Sequence, residues 1–426
     1  MTIPAWYAVL LAVPVLLLGE FLVRRITFLS RFNIPAPVVG GLLISIVVLL
    51  VNVSAFGAVQ LDGKIAAKWW TWLVTIEPEW DKAPAKNANL PFLVAFFTCV
   101  GLNASWALAK RGSFQVLAFL AIAAALALLQ NIIGVGLAKA MGVSPLLGLI
   151  CGSVTMTGGH GTALAFAPEL EKAGLSAAAV VGVAAATFGL VCGGLLGGPV
   201  GGGLIRKFGL QPQASGGTHL EAGPSGESGI LKDLRALGRS GKIALSHLIV
   251  LLLCIKLGAW VSYFIQMTGI IFPVYMGAML LGVAARNLVD YFGGAWIKTE
   301  TVDTLASVAL GLFLAMAMMS LNLIELASAA LPMLVILSGQ VVVMALFAWF
   351  ITFRVMGRDY DAAVMASGHC GFGLGATPNA VANMKALVES FGAAPRAFLV
   401  LPIVGAFLID FLNALNITFF INLLKS

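Results

Sequence analysis

Ten apolar runs follow one another along this chain, at residues 6–22, 38–53, 92–108, 114–137, 177–204, 243–265, 272–288, 305–321, 327–351 and 398–421. Each is about long enough to cross the ~30 Å hydrocarbon core of a bilayer as a helix. Of the 426 residues, 60% are hydrophobic and only 10% charged, where a soluble domain carries about 25% charged residues. The chain is therefore read as an all-α polytopic membrane protein of about ten transmembrane helices. Its formal charge of +7 then records topology and not a nucleic-acid partner. An outside amino terminus places Arg24, Arg25, Arg31, Lys110, Arg111, Arg206 and Lys207 in the cytoplasm and leaves few cations outside. No basic region precedes the first run, and Arg24 and Arg25 replace a small-residue cleavage site after it, so it is expected to be retained as a span. Cys99, Cys151, Cys192, Cys254 and Cys370 lie in or beside apolar segments, without metal-like spacing, and predict no disulfide framework.

Residues 206–242 shift to Gly, Ser, Pro and charge, the composition of a flexible linker, which this topology places in the cytoplasm. Landmarks recur in order on either side: Pro37 and Pro273, Asn103 and Asn322, Gln130 and Gln340, His160 and His369, at offsets of 236, 219, 210 and 209. Two copies of an odd number of spans enter the membrane from opposite sides. The expected organisation is thus two inverted five-span repeats, 1–205 and 243–426, with both termini outside. Residues 54–90 break the symmetry with Trp69, Trp70, Trp72 and Trp80. They predict an outer-surface amphipathic helix or loop, since tryptophan collects at bilayer interfaces.

Two polar, glycine-rich stretches interrupt this apolar background. One runs Gly152-Ser153-Val154-Thr155-Met156-Thr157-Gly158-Gly159-His160-Gly161-Thr162; the other runs Ser367-Gly368-His369-Cys370-Gly371-Phe372-Gly373-Leu374-Gly375-Ala376-Thr377-Pro378-Asn379. Irregular backbone at membrane depth is tolerated only where protein or a wet cavity surrounds it. The stretches are read as the tips of re-entrant hairpins, at about 145–168 from outside and about 361–386 from the cytoplasm, meeting near the midplane. Half-helix amino termini there suit a carboxylate, and freed carbonyls suit Na⁺. Close helix packing is the plainer account of small residues, and it fits Gly193-Gly194 and Gly197-Gly198 well.

Gln130, Asn131 and Gln340 are uncharged amides inside long apolar runs, so they should face protein or a wet cavity, lining the site or bonding helix to helix. Asp410, Asn413 and Asn416 share a helical face through their spacing of three. Asp410 is a candidate for cation coordination or proton relay, with a salt bridge as the structural alternative; Lys256 could supply that bridge or snorkel toward an interface. Glu20 is expected to pair with Arg24 at an interface, and Glu325 to be solvated. His160 and His369 are expected to fix the hairpins by hydrogen bonds, because a charged imidazole is costly there.

The two glycine-rich runs, together with Ala-Thr-Phe-Gly-Leu-Val from Ala186, Tyr360-Asp361-Ala362-Ala363-Val364 and Val404-Gly405-Ala406-Phe407 before Asp410, resemble the bacterial glutamate:sodium symporter family over almost the whole chain. The resemblance implies a non-enzymatic secondary carrier in the bacterial inner membrane. It further implies a homodimer in which a hairpin-bearing core moves against a scaffold, as an elevator. The implied cargo is L-glutamate with Na⁺, and charge balance against an inside-negative potential calls for at least two Na⁺ per substrate. Substrate-lining candidates are Gln130, Asn131, Ser153, Thr155, Thr157, Gly158, Gly159, His160, Gly161, Thr162, Gln340, Gly368, His369, Gly371, Gly373, Gly375, Thr377 and Asn379. Asp410, Asn413 and Asn383 are the candidate Na⁺ ligands.

A Na⁺- or H⁺-coupled carrier for citrate or another dicarboxylate is the nearest alternative. A membrane hydrolase is disfavoured, as the chain has no His-Glu-x-x-His motif. A passive channel would not need hairpins from opposite faces.

Overall fold

The computed structural model describes residues 2–32, 34–53, 60–61, 64–65, 68–76, 86–105, 113–212, 229–269, 272–294, 296–321 and 330–424. A helix falls in every one of the ten apolar runs. Among the described residues, six helices are long and apolar enough to cross a membrane: Ala5–Arg25, Phe114–Ala140, Ala178–Phe208, Gly241–Gln266, Thr299–Met319 and Ala330–Val355. Shorter apolar helices run over Ala36–Asn52, Leu90–Asn103, Pro145–Val154 and Ile409–Leu424. This is the architecture of a polytopic membrane protein. The last run is not one regular helix. Pro402, which has no N–H to donate, ends a regular stretch at Ile403, and a π-helical turn, Val404–Leu408, precedes Ile409–Leu424.

The helices gather into two compact units that do not divide at the linker. Unit one joins Met1–Trp106 to Glu227–Glu325; unit two joins Ala107–Gly226 to Leu326–Ser426.

In unit one, small residues set the helix spacing, as expected where lipid gives helices no hydrophobic reason to associate. A Cβ on Gly19 would overlap the Ala36 carbonyl oxygen, one on Gly101 the Met279 carbonyl oxygen, and one on Gly258 the Ala278 backbone. Tyr275 stacks on Phe97 with centroids 4.2 Å apart. Buried polar groups pair locally. Asn103 Nδ2 donates to Asp303 at 2.6 Å, and Arg286 Nε to Asp290 at 3.1 Å. His247 Nδ1 lies 2.7 Å from the Ile243 carbonyl oxygen, and its Nε2 accepts the Lys298 N–H at 2.8 Å. The ring is therefore the Nδ1–H tautomer and joins Gly241–Gln266 to the start of Thr299–Met319.

Two sequence readings change here. Lys256 does not pair with Asp410: its ammonium donates to the carbonyls of Trp72, at 2.6 Å, and Thr75, at 3.4 Å, and lies 4.6 Å from the Trp72 ring centroid. In the tryptophan-rich segment the described residues include short paired strands and the short helix Lys68–Thr71. Gln60–Leu61 pairs in parallel with Thr2–Ile3, Lys64–Ile65 pairs antiparallel with Lys86–Asn87, and Trp70 Nε1 donates to the Ala88 carbonyl at 2.8 Å. Trp80, Asn322 and Glu325 lie outside the described residues. Nor is the linker coil throughout, since Ile230–Arg239 is helical. Glu20 takes part in that fold, with Arg24 at 4.0 Å and its Oε1 accepting the Ile230 N–H at 2.6 Å.

Candidate functional site

Both glycine-rich stretches lie in unit two, and both are broken helices. The first consists of Pro145–Leu149, a π-helical turn Ile150–Val154, and Gly159–Lys172. Gly152, at φ −92° and ψ −137°, makes the break. A Cβ there would sit 2.7 Å from Asn131 Oδ1, so the backbone passes directly against that amide. The second consists of Tyr360–Gly373 and Thr377–Phe391. Asp359 starts it, accepting the Ala362 N–H at 2.9 Å, as a helix-capping carboxylate does. The two stretches meet. Gly159 adopts the left-handed φ of +64°, and a Cβ on it would lie 2.9 Å from the Gly375 carbonyl oxygen.

Gln130, fully buried in Ser113–Ala140, ties the two stretches together. Its Oε1 accepts from Thr157 Oγ1 at 2.7 Å, and its Nε2 donates to the Gly373 carbonyl at 2.7 Å. Gln340 Nε2 donates to the Gln130 backbone carbonyl at 2.8 Å. The Gln130 amide therefore positions the two breaks.

Next to it, Asn131 Oδ1 accepts the Ser153 N–H at 2.8 Å, and Asn413 Nδ2 donates to the Ser153 carbonyl at 2.9 Å. These bonds fix both amide orientations, and they leave Asn131 Nδ2, Ser153 Oγ and Asn413 Oδ1 buried without a partner among the described residues. Gln340 Oε1, Ser367 Oγ and Asn416 Nδ2 are likewise unpaired. A native interior satisfies nearly all of its buried polar groups, so a cluster of open donors and acceptors at a helix break marks a place for something polar. Asp410 and Asn416 lie three residues to either side of Asn413 on Ile409–Leu424. No ion-pair partner reaches Asp410 among the described residues.

Other candidates serve the scaffold of the site. Thr187 Oγ1 donates to the Val183 carbonyl at 2.9 Å, so it accepts from His160 Nε2 at 3.0 Å, which makes His160 the Nε2–H tautomer. His369 lies 2.8 Å through Nδ1 from Thr352 Oγ1 and stacks on Phe372 at 5.2 Å, with Phe119 at 4.9 Å. Thr155 and Thr377 donate to the carbonyls of Ile150, at 2.7 Å, and Gly405, at 2.6 Å. Asn379 Nδ2 donates to Leu190 and Asn383 Nδ2 to Gly193, at 2.7 and 2.9 Å. Asn383 thus packs against Ala178–Phe208 and shares no hydrogen-bond partner with Asn413. Gly158, Gly368, Gly371 and Gly373 pack closely: a Cβ on Gly371 would lie 2.6 Å from the Ala380 nitrogen, pinning the two arms together. Thr162 is buried within Gly159–Lys172.

Thr187 and Thr352 are additions to the candidates read from sequence, and Ser367, which opens the second stretch, joins them. Thr187 sits within the Ala186 run, but Thr352 lies in a π-helical turn that no local pattern announces.

Ala178–Phe208 lays glycines against the second stretch. A Cβ on Gly189 would overlap the Leu374 carbonyl oxygen, and one on Gly197 the Asn383 amide, whereas Gly198 has nothing within 4 Å. Gly189→Ala is expected to lower stability by about 1–3 kcal/mol through overpacking, and Gly198→Ala on the same helix to leave it unchanged or raise it. Thermal unfolding of the two purified variants checks this, and equal midpoints would refute it.

A family model described as sodium/glutamate symporter matches residues 1–76 and 79–393. The chain belongs to the sodium/glutamate symporter family. Among curated relatives of the same description, the one from Escherichia coli K12 is 39% identical over 413 residues, covering 96% of this chain and 95% of its own length. The one from Haemophilus influenzae is 39% identical over 422 residues, covering 97% and 96%. No solved structure matches the chain. For this symporter-family member the open polar cluster in unit two is therefore a candidate transport site, and the family is one of transporters, not enzymes.

Proposed function

We propose that this chain takes up L-glutamate together with Na⁺ across the bacterial inner membrane. The observation that carries the reading is the group of buried, unpartnered atoms around Ser153, in a member of a symporter family. Donors and acceptors of different kinds stand open there. Asn131 Nδ2 and Ser153 Oγ donate to a substrate carboxylate, while Asn413 Oδ1 and the Asp410 carboxylate supply oxygens to Na⁺. The helix starts at Gly159 and Thr377 add partial positive charge, each worth about 0.3–1 kcal/mol, and up to about 2 when partly buried. So small a term needs the neighbouring cation, which makes substrate and Na⁺ binding cooperative.

The helix breaks support re-entrant hairpins in two inverted five-span repeats, with both termini outside and the linker cytoplasmic. Unit two, which holds both breaks, is the moving core; unit one is the scaffold, and the working form is a homodimer. Each charge moved gains or loses about 2.3 kcal/mol per 100 mV. One Na⁺ only cancels the net charge of glutamate, so two or more are carried and uptake is electrogenic.

The test is radiolabelled L-glutamate uptake into proteoliposomes under an inward Na⁺ gradient, with K⁺ or choline as replacement cations and citrate as competitor. Concentrative uptake only with Na⁺, unaffected by citrate and faster with an inside-negative potential, is expected. Uptake independent of Na⁺ in folded protein would refute symport, and insensitivity to potential would refute the ion count.

A further inference from the structure

The helix Ile230–Arg239 contributes nothing to the transport site, yet it is held with unusual care for the end of a glycine- and serine-rich linker. Glu20, near the end of Ala5–Arg25, accepts its first N–H at 2.6 Å. Asp233 is buried and accepts from Ser307 Oγ at 2.8 Å. Its last residue is separated by Ser240 alone from Gly241–Gln266, one of the helices long and apolar enough to span a membrane. Cap and chain connection thus hold it beside the ends of two spanning helices, which the membrane reading puts near the lipid headgroups.

Its exposed side is built for that place. At 100° per residue, Ile230 and Asp233 face the protein, and Lys232, Arg235 and Arg239 lie on the opposite arc, all exposed. Between the two faces, Leu231 and Leu234 stand 45% and 44% exposed, on a helix whose solvent alternative is water. Glu20 and Asp233, the acids bonded at this helix among the described residues, are turned inward, and the residues of the helix's own outer arc are cations. Lys242, also exposed, extends the same charge. Leucines on the shoulder of a basic arc, at headgroup depth, are the pattern of an interfacial helix that sinks apolar side chains to the acyl boundary and presents its cations to phosphates. We infer that Ile230–Arg239 is a binding surface for anionic phospholipid headgroups, anchoring unit one at the bilayer surface.

The inference rests on the membrane placement but not on the cargo; a chain that failed to carry glutamate would still show it. The test uses the full-length protein, with thermal unfolding followed as phosphatidylglycerol or phosphatidylcholine is added in detergent. Phosphatidylglycerol is expected to raise the midpoint by several degrees, an effect that falls in high salt, and phosphatidylcholine to do little. The triple variant Lys232→Gln, Arg235→Gln, Arg239→Gln, whose positions are exposed, should fold normally and lose most of that rise. Lys139→Gln with Lys172→Gln, exposed cations elsewhere, should keep it. An equal rise with both lipids, or a rise undiminished in the triple variant, would overturn the inference. So would cations that respond to a soluble acidic protein but not to the lipid.

Discussion

Gln130→Leu is expected to abolish Na⁺-driven uptake and to lower the unfolding midpoint. The substitution keeps the volume of the side chain but orphans Thr157 Oγ1 and the Gly373 carbonyl, the two groups that the amide bridges. Each buried group left unpaired costs about 1–3 kcal/mol, and the pair belongs to different helix breaks, so the loss falls on their mutual placement. Thr157→Val gives a milder version, leaving only Gln130 Oε1 without its donor, and about a tenfold lower uptake corresponds to about 1.4 kcal/mol. Gln340→Leu removes a bond to the Gln130 backbone alone and should be the least damaging of the three. Initial rates in proteoliposomes and thermal unfolding, measured together, check the order. A Gln130→Leu protein that transports at the normal rate would show that the bridge is dispensable.

Asp410→Asn is expected to act on Na⁺ and not on folding. The change preserves shape and removes a negative charge that no cationic side chain neutralises among the described residues. If that carboxylate is a Na⁺ ligand, the Na⁺ concentration for half-maximal uptake should rise at least tenfold, about 1.4 kcal/mol or more of binding free energy. At saturating Na⁺ the apparent affinity for glutamate should largely recover, because the two bind cooperatively. Asn413→Ala removes the neighbouring acceptor and should shift Na⁺ dependence in the same direction, whereas Asn383→Ala should act on stability. Unchanged Na⁺ dependence in Asp410→Asn, with a lost response to an imposed pH gradient, would identify the group as a proton relay instead.

Much of this architecture was legible because a long apolar run reports a helix able to sit in the bilayer, whichever of its faces is buried. Every apolar run carries a helix, and each glycine-rich stretch contains a helix break. What the pattern could not convey is how polar groups divide their work, since one amide looks like another in sequence. Gln130, read as a lining residue or a helix-to-helix bond, is a fully bonded bridge; Asn131, its neighbour, keeps an open donor. Lys256 and Asp410 looked like complementary charges, but the lysine is taken by Trp72 and Thr75 carbonyls. The π-helical turns at Ile150–Val154 and Ala348–Thr352 carry long-range hydrogen bonds, Ser153 N–H to Asn131 and Thr352 to His369, that no local propensity reveals. The helix within the linker was hidden by its glycine- and serine-rich surroundings.

The interlacing of the two units bears on how the chain is made. Each unit draws on both sides of residue 226, so neither can be completed from the first half of the sequence. Unit one lacks its second portion until residue 325 has been synthesised, and unit two, begun at residue 107, is finished only with the carboxyl terminus. Helices inserted early must wait in the bilayer for partners translated later. A nascent chain stalled at the linker would therefore hold two incomplete bundles, each exposing the glycine-lined faces that its missing helices should cover.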